Sequence, residues 1–322
     1  MTAQVDRLGS PEPAALPAPA ETRTRMPDAP TPAAPATRAR PAPVRAAVLR
    51  TERVAEQLVR VVLGGPGLRV LDAPTHADSY VKVVFVPPAA LAAATERPDG
   101  RVDLDALRAS LPADDQPRVR AYTVRAFDPV AAELTIDVVV HGDEGVAGPW
   151  AASARPGDEV LLLGPGGAYS PDPAADRYLL LGDASALPAV AVVLERLAAE
   201  RPDAVGDAVL EVHGPGDELT LTAPPGIRVR WVHQGTGVVG LRLVEAVRDL
   251  DRPEGRVDAF VHGEAGTVKE LRHHLRVERG LPRGALSISG YWRLGAADED
   301  WRASKKDWAR SIEDAEQAAG LD

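Results

Sequence analysis

Between Arg45 and Pro173, apolar and polar residues alternate in short runs: Val59-Arg60-Val61-Val62-Leu63, Tyr80-Val81-Lys82-Val83-Val84-Phe85, Leu134-Thr135-Ile136-Asp137-Val138-Val139-Val140 and Val160-Leu161-Leu162-Leu163. Each run is bounded by Gly, Pro or Asp, the pattern of closely spaced strands in a small antiparallel barrel. One short helix is expected in this half, near Trp150 to Ala154. After Ala175 the rhythm changes. The continuous apolar run Tyr178-Leu179-Leu180-Leu181 precedes a helical stretch from about Leu187 to Ala199, which is the βα signature of a parallel sheet. Further strands are expected at Ala208–Val212, Val229–Val232, Ala259–Val261 and Leu286–Ser289, with helices at about Leu241–Asp249 and Val268–Arg279. Strands buried on both faces between helices point to a doubly wound nucleotide-binding domain. Trp301, Lys305, Trp308, Ile312 and Ala315 recur at helical spacing, so a C-terminal helix folded back onto the body is expected.

These patterns divide the chain into a Pro/Ala-rich, disordered tail (1–43), a β-barrel domain (44–174), an α/β domain (175–295) and a C-terminal helix (296–322). The tail has too few large apolar residues to offset its ordering entropy. A chain of 322 residues has room for two cores. Composition then excludes several classes of function. A net charge of −10 argues against a general nucleic-acid binder, and any anionic ligand has to meet a local basic patch. With no cysteine, thiolate metal sites, protein-held iron–sulfur clusters and a cysteine nucleophile are excluded, and no metal site is expected. Redox chemistry would need a bound organic cofactor. No apolar run approaches the roughly 20 residues of a membrane span, so a cytoplasmic, non-membrane-spanning protein, taken as a monomer, is expected.

The sharpest candidate chemistry lies in Arg120-Ala121-Tyr122-Thr123-Val124-Arg125. In a strand, Arg120, Tyr122 and Val124 project to one side while Thr123 and Arg125 project to the other. A guanidinium suits a pyrophosphate, an aromatic ring can cover an isoalloxazine face, and a threonine hydroxyl with backbone groups can meet its polar edge. The same run also suits an ordinary strand with two exposed arginines. Downstream, His141-Gly142 ends a strand and Gly148-Pro149-Trp150-Ala151 opens a helix, whose free N–H groups would seat a pyrophosphate. Simple core packing is the alternative for Trp150. Gly182-Asp183-Ala184-Ser185-Ala186-Leu187-Pro188 and Gly263-Glu264-Ala265-Gly266 each follow a strand and open a helix. They combine close backbone approach with a helix N-terminus, though plain strand-to-helix turns would look the same.

Taken in order, these segments, with Tyr80-Val81-Lys82, Pro156-Gly157-Asp158, Gly164-Pro165-Gly166-Gly167 and Gly290-Tyr291-Trp292-Arg293, resemble the siderophore-interacting family of flavin reductases, a branch of the ferredoxin-reductase-like superfamily. The resemblance implies FAD held by the barrel, a nicotinamide nucleotide at the second domain and reduction of siderophore-held iron(III) to iron(II). By matching position it implies flavin contacts from Arg120, Tyr122 and Thr123, with Trp150 and Ala151 at the pyrophosphate beside His141 and Gly142. Gly182, Asp183, Ala186, Leu187 and Glu264 would shape the nucleotide site, and Tyr291 and Trp292 complete the cofactor set. Lys82, Arg125 and Arg293 are the cations placed around an anionic ferric siderophore. No catalytic acid or base is singled out, because electron transfer does not require one.

The chain departs from the family pattern at Ala184, Ser185 and Gln234, where Glu, Thr and often Arg are usual. Two carboxylates in Gly214-Pro215-Gly216-Asp217-Glu218, together with Gln234, lean toward NADH over NADPH. Ferredoxin supplies some members of the family and is a possible donor partner. The competing readings are a general flavin reductase or electron-transfer protein, and a flavin- or siderophore-binding protein without turnover.

Overall fold

The structure, a computed structural model, describes residues 42–142, 145–252 and 254–321. Most of the tail expected to be disordered, residues 1–41, lies outside them. Ala42 and Pro43, counted with the tail by composition, are built into the fold: Arg101 Nη1 donates to Ala42 O (3.0 Å) and Val102 N to Pro43 O (2.8 Å).

The first half is an antiparallel sheet of β1 (Val44–Ala55), β2 (Leu58–Gly64), β3 (Tyr80–Phe85), β4 (Arg118–Thr123), β5 (Ala126–Asp128), β6 (Glu133–Val139) and β7 (Glu159–Gly166). The strand order is β4-β3-β7-β1-β2-β6-β5. Its two edges are consecutive in sequence, and two adjacent amides close them. Val124 N donates to Ser79 O (2.7 Å) beside β3, and Arg125 N donates to Thr135 O (2.8 Å) on β6. These two bonds bring the edges of the sheet together, and alternate residues fill the interior: Val59, Val61 and Leu63; Val81 and Val83; Leu134, Ile136 and Val138; Val160 and Leu162.

Three short helices accompany the barrel where the sequence suggested one. The expected one is α3 (Ala147–Ser153). The others, α1 (Pro88–Ala93) and α2 (Leu104–Ser110), cover the outer face of β3 and β7, burying Leu91, Leu104 and Leu107 against Val84 and Leu161. Two turns are too few to establish a helical period. The readable signals were local ones, Pro88 at a helix start and Asp103 as an N-cap accepting from Ala106 N (3.1 Å).

The second half is a parallel sheet of β8 (Arg177–Asp183), β9 (Val205–Val212), β10 (Gly226–His233), β11 (Val257–Glu264) and β12 (Leu286–Trp292), in the order β10-β9-β8-β11-β12. Helix α4 (Leu187–Glu200) packs on one face with Tyr178 and Leu180, whereas α5 (Leu241–Arg248) and α6 (Ala265–His273) pack on the other with Leu179 and Leu181. The order reverses direction between β8 and β11. Their carboxyl ends therefore form the crevice in which doubly wound sheets bind ligands.

The two sheets share a core, since Leu58 and Ala77 of the barrel pack with α4. The C-terminal helix α7 (Asp298–Ala318) returns over β12 and α6. Trp301 is 1% exposed and lies against Gly290, where a Cβ would come within 2.8 Å of the indole. Trp308 Nε1 donates to Ala265 O (3.2 Å). Ala315, expected on the buried stripe, is exposed. Its neighbour Glu316 is buried instead, accepting from Arg272 Nε (2.6 Å) and Nη2 (2.9 Å). Trp301→Ala is expected to cost about 3–5 kcal/mol, read as a lower urea midpoint, while Ala315→Ser leaves the midpoint unchanged.

Candidate functional site

The β3–β4 register sorts the candidate residues by face. Arg120 lies opposite Val83 and Tyr122 opposite Val81, and both valines point into the barrel core. Thr123 lies opposite Tyr80 and Ala121 opposite Lys82, on the outer face. Tyr122 packs against the barrel core beside Arg120, and burial pushes its phenol well above the usual tyrosine range. It is therefore neutral. Arg120 is not free: Nη1 meets Glu299 Oε1 (2.7 Å) and Asp298 Oδ2 (3.2 Å), and Nη2 meets Glu299 Oε2 (3.2 Å). Both carboxylates stand at the start of α7.

Thr123 and β12 connect the barrel to the parallel sheet. Thr123 is buried and stands beside Tyr291, whose phenol burial raises well above its ordinary range. Tyr291 Oη lies 2.9 Å from His262 Nδ1, and His262 Nε2 lies 3.0 Å from Ser287 Oγ. Burial first, then the Lys305 charge, lowers His262 to about 3, so the imidazole is neutral throughout the physiological range. Phe260 covers it at a ring distance of 3.7 Å. His262 and Ser287 escaped the sequence reading because a histidine inside Ala259-Phe260-Val261-His262 reads as strand. Only the fold supplies its partners.

At the crevice, Asp183 accepts four hydrogen bonds: Ser185 N (2.9 Å), Ser185 Oγ (2.5 Å), Glu264 N (2.7 Å) and Trp292 Nε1 (2.8 Å). Burial still outweighs them and raises its carboxyl above the ordinary value. Glu264 caps α6, accepting from Thr267 N (2.8 Å), and also accepts from Leu294 N (3.2 Å). Asp183, Glu264 and Trp292 thus bind the ends of β8, β11 and β12 to one another. The side chains of Ala186 and Leu187 are fully buried, so they shape the turn from within the core. Gly182 is required there, because a Cβ would lie 2.6 Å from Ala186 Cβ and 2.9 Å from His262 O.

On the barrel, His141 and Gly142 are exposed after β6. Trp150 packs edge-on against Phe85 (5.4 Å, 69°), and Ala151 is 2% exposed in the barrel core. The packing alternative therefore describes both side chains, and what α3 offers a ligand is its first-turn backbone, which has no side-chain cap.

The three cations assigned to an anionic substrate occupy different settings. Lys82 Nζ stands 6.0 Å from the Tyr80 ring centroid. Arg125 forms a two-pronged ion pair with Glu195 of α4, Nη1 to Oε2 at 2.8 Å and Nη2 to Oε1. It is thus a tether between barrel and α4 rather than a free docking cation. Arg293 is exposed and lines a cavity of about 330 Å³ with Lys269, Glu264 and Trp308. The acidic loop behind the NADH lean also has another role. Asp217 is buried and accepts from Gln57 N (2.6 Å), while Glu218 pairs with His233 (2.7 Å). Asp217 therefore fastens the barrel hairpin and does not face a ribose.

Comparison with known proteins agrees with this architecture. Residues 47–169 match the model of the siderophore-interacting FAD-binding domain, and residues 175–295 match that of the siderophore-interacting protein. An uncharacterized protein of Mycobacterium tuberculosis is 46% identical over 276 residues, covering 82% of this chain and 95% of the relative. The ferric vibriobactin reductase ViuB of Vibrio cholerae is 32% identical over 263 residues, covering 80% and 92%. The crystal structure of a siderophore utilization protein from T. fusca superposes with a TM-score of 0.67 at 36% identity, covering 80% of this chain and 94% of that one. The sheet order, the domain matches and these similarities together lead to one conclusion: the chain belongs to the siderophore-interacting protein family, with an FAD-binding barrel preceding its parallel-sheet domain.

Proposed function

We propose that this protein is an FAD-dependent reductase that takes electrons from a nicotinamide nucleotide and reduces iron(III) held in a siderophore, releasing iron(II). The observation that carries the reading is the register of β4, which places Arg120 and Tyr122 on one face and Thr123 on the other, beside Tyr291 of β12. One strand thereby carries a cation, a neutral aromatic ring and a buried hydroxyl within four consecutive residues. That donor set fits a flavin: the guanidinium suits its phosphates, the ring its plane and the hydroxyl its polar edge. The similarity to ViuB, a ferric vibriobactin reductase, supports the same reading.

Bound FAD would supply the conversion of a two-electron donor into single electrons for ferric iron. The side chains hold and orient. Arg120 anchors the phosphates, Tyr122 covers a ring face, and Thr123 meets the polar edge beside Tyr291, whose phenol is held by neutral His262. The carboxyl ends of β8 and β11 bring the nucleotide close through backbone groups, because Asp183 and Glu264 are committed to each other's neighbours. Lys82 and Arg293 receive the anionic chelate, against the net charge of the whole chain. A chelator that prefers iron(III) lets the product go. Gln234, half-buried with its amide bonded to Gly237 O (3.3 Å), brings no positive charge for a 2′-phosphate, so NADH is the assigned donor.

The purified protein is expected to show a flavin spectrum that bleaches anaerobically with NADH faster than with NADPH. Ferric chelate should then restore the colour while a ferrous-specific dye reports iron(II). Protein that neither carries nor binds FAD would end this reading, and bleaching by reduced ferredoxin alone would move the donor.

Lys82→Ala and Arg293→Ala should each raise KM for ferric chelate about twofold to fivefold, the scale of an exposed charge pair, with flavin reduction by nucleotide unchanged. Arg125→Ala and Glu195→Gln should instead resemble each other, lowering the unfolding midpoint with little change in that KM.

His262 also makes stability depend on pH. Its folded value of about 3 lies below the ordinary 6.5, so between those values the unfolded chain binds the extra proton. Its contribution is complete above about pH 6.5 and is lost as pH falls toward 3. Urea unfolding from pH 7 to pH 4 should show this decline, and His262→Gln should flatten it.

A further inference from the structure

We propose that Asp298 and Glu299 determine which flavins the site accepts and how tightly, by competing with the flavin's phosphates for Arg120. The inference rests on Arg120 being the phosphate anchor, as argued above, and extends it to a part of the chain outside both matched domains.

The contact is specific in geometry. Both terminal nitrogens of Arg120 face the two oxygens of Glu299 (2.7 and 3.2 Å), and Asp298 Oδ2 adds a third contact at 3.2 Å. A guanidinium fork that grips a carboxylate this way offers the same two N–H groups that would grip a phosphate. It cannot give them to both at once. The partners are remote in sequence, 178 and 179 residues from Arg120, so the contact exists only because the start of α7 returns beside β4. Arg302, one turn further on, donates to Val119 O (3.1 Å) and fixes the helix start beside β4.

Acidic residues in a first helical turn are ordinarily explained by the helix dipole, and α7 begins with Asp298, Glu299 and Asp300. That explanation covers all three equally. It does not account for two of them converging on a cation whose side chain is only 16% exposed. The exchange also demands little of the fold. The Glu299 side chain is 53% exposed and can turn to solvent. The helix itself stays docked through Trp301, the Trp308–Ala265 hydrogen bond and the Arg272–Glu316 ion pair. A phosphate entering while the carboxylates remain would meet two negative charges beside one guanidinium.

The consequence is selective. FAD and FMN carry phosphate and must displace the carboxylates, whereas riboflavin carries none. The test is fluorescence titration of riboflavin and FAD into flavin-stripped full-length protein. The Asp298→Asn/Glu299→Gln double variant should bind FAD about threefold to tenfold more tightly, the scale of one or two partly exposed ion pairs, and riboflavin with unchanged affinity. Asp300→Asn, which removes the same charge from the same turn without a contact to Arg120, should leave FAD affinity within about twofold. Unchanged or weaker FAD binding by the double variant, or an equal gain from Asp300→Asn, would overturn the proposal. Failure of the underlying reading looks different: Arg120→Ala would then bind FAD as tightly as the parent chain.

Discussion

The site depends on one bend in one strand. At Val124 and Arg125 the backbone stops pairing with the β3 side of the barrel and starts pairing with β6, two amides 2.7 and 2.8 Å from their acceptors. Closure at that point fixes the register of β4 on β3, and the register puts Tyr122 on the core side and Thr123 on the outer side. Sliding β4 by one residue would exchange the two faces. The ring would then face the parallel sheet and the hydroxyl would be buried unpartnered in apolar surroundings. The barrel core, tightly alternating through Val81 and Val83, forbids the slip, so core packing and the facing of Tyr122 and Thr123 are set by the same constraint.

The crevice in the parallel sheet shows another consequence of burial. Asp183 is raised by desolvation although it accepts four hydrogen bonds, and Glu264 is consumed in capping α6 and receiving Leu294 N. A polar network this fully satisfied rigidifies the ends of three strands. It also leaves backbone, not carboxylate, as the surface presented to a ligand, which suits an anionic nucleotide.

Period and punctuation made much of this legible. The run Tyr80–Phe85 coincides with β3, and the α4 stretch was placed within one residue of its end, because an alternating run in a barrel and a long apolar helix each carry enough periods to be read. Helices α1 and α2 did not, and β1 was missed because Arg45, Arg50, Glu52 and Arg53 interrupt a run with few large apolar residues. The candidate site was legible in residue type but not in partnership. Arg120, Arg125 and Asp217 were all recognised as chemistry, yet each is bonded to a group between 70 and 179 residues away. Such pairings are created by the fold, and no local pattern encodes them. The same holds for Trp150 and Ala151, where a helix start was read correctly while the side chains went to the barrel core.

Net charge then acquires a structural meaning. With acidic residues in excess, arginines near the site tend to find a carboxylate first: Arg120 takes Glu299, Arg125 takes Glu195, and Arg60 takes Asp137. A phosphate that engaged Arg120 would therefore not meet a bare cation. It would exchange for a carboxylate already in place, so its affinity would be a difference between two ion pairs rather than the sum of new ones. An acidic chain can in this way bind anions at chosen points while repelling them elsewhere.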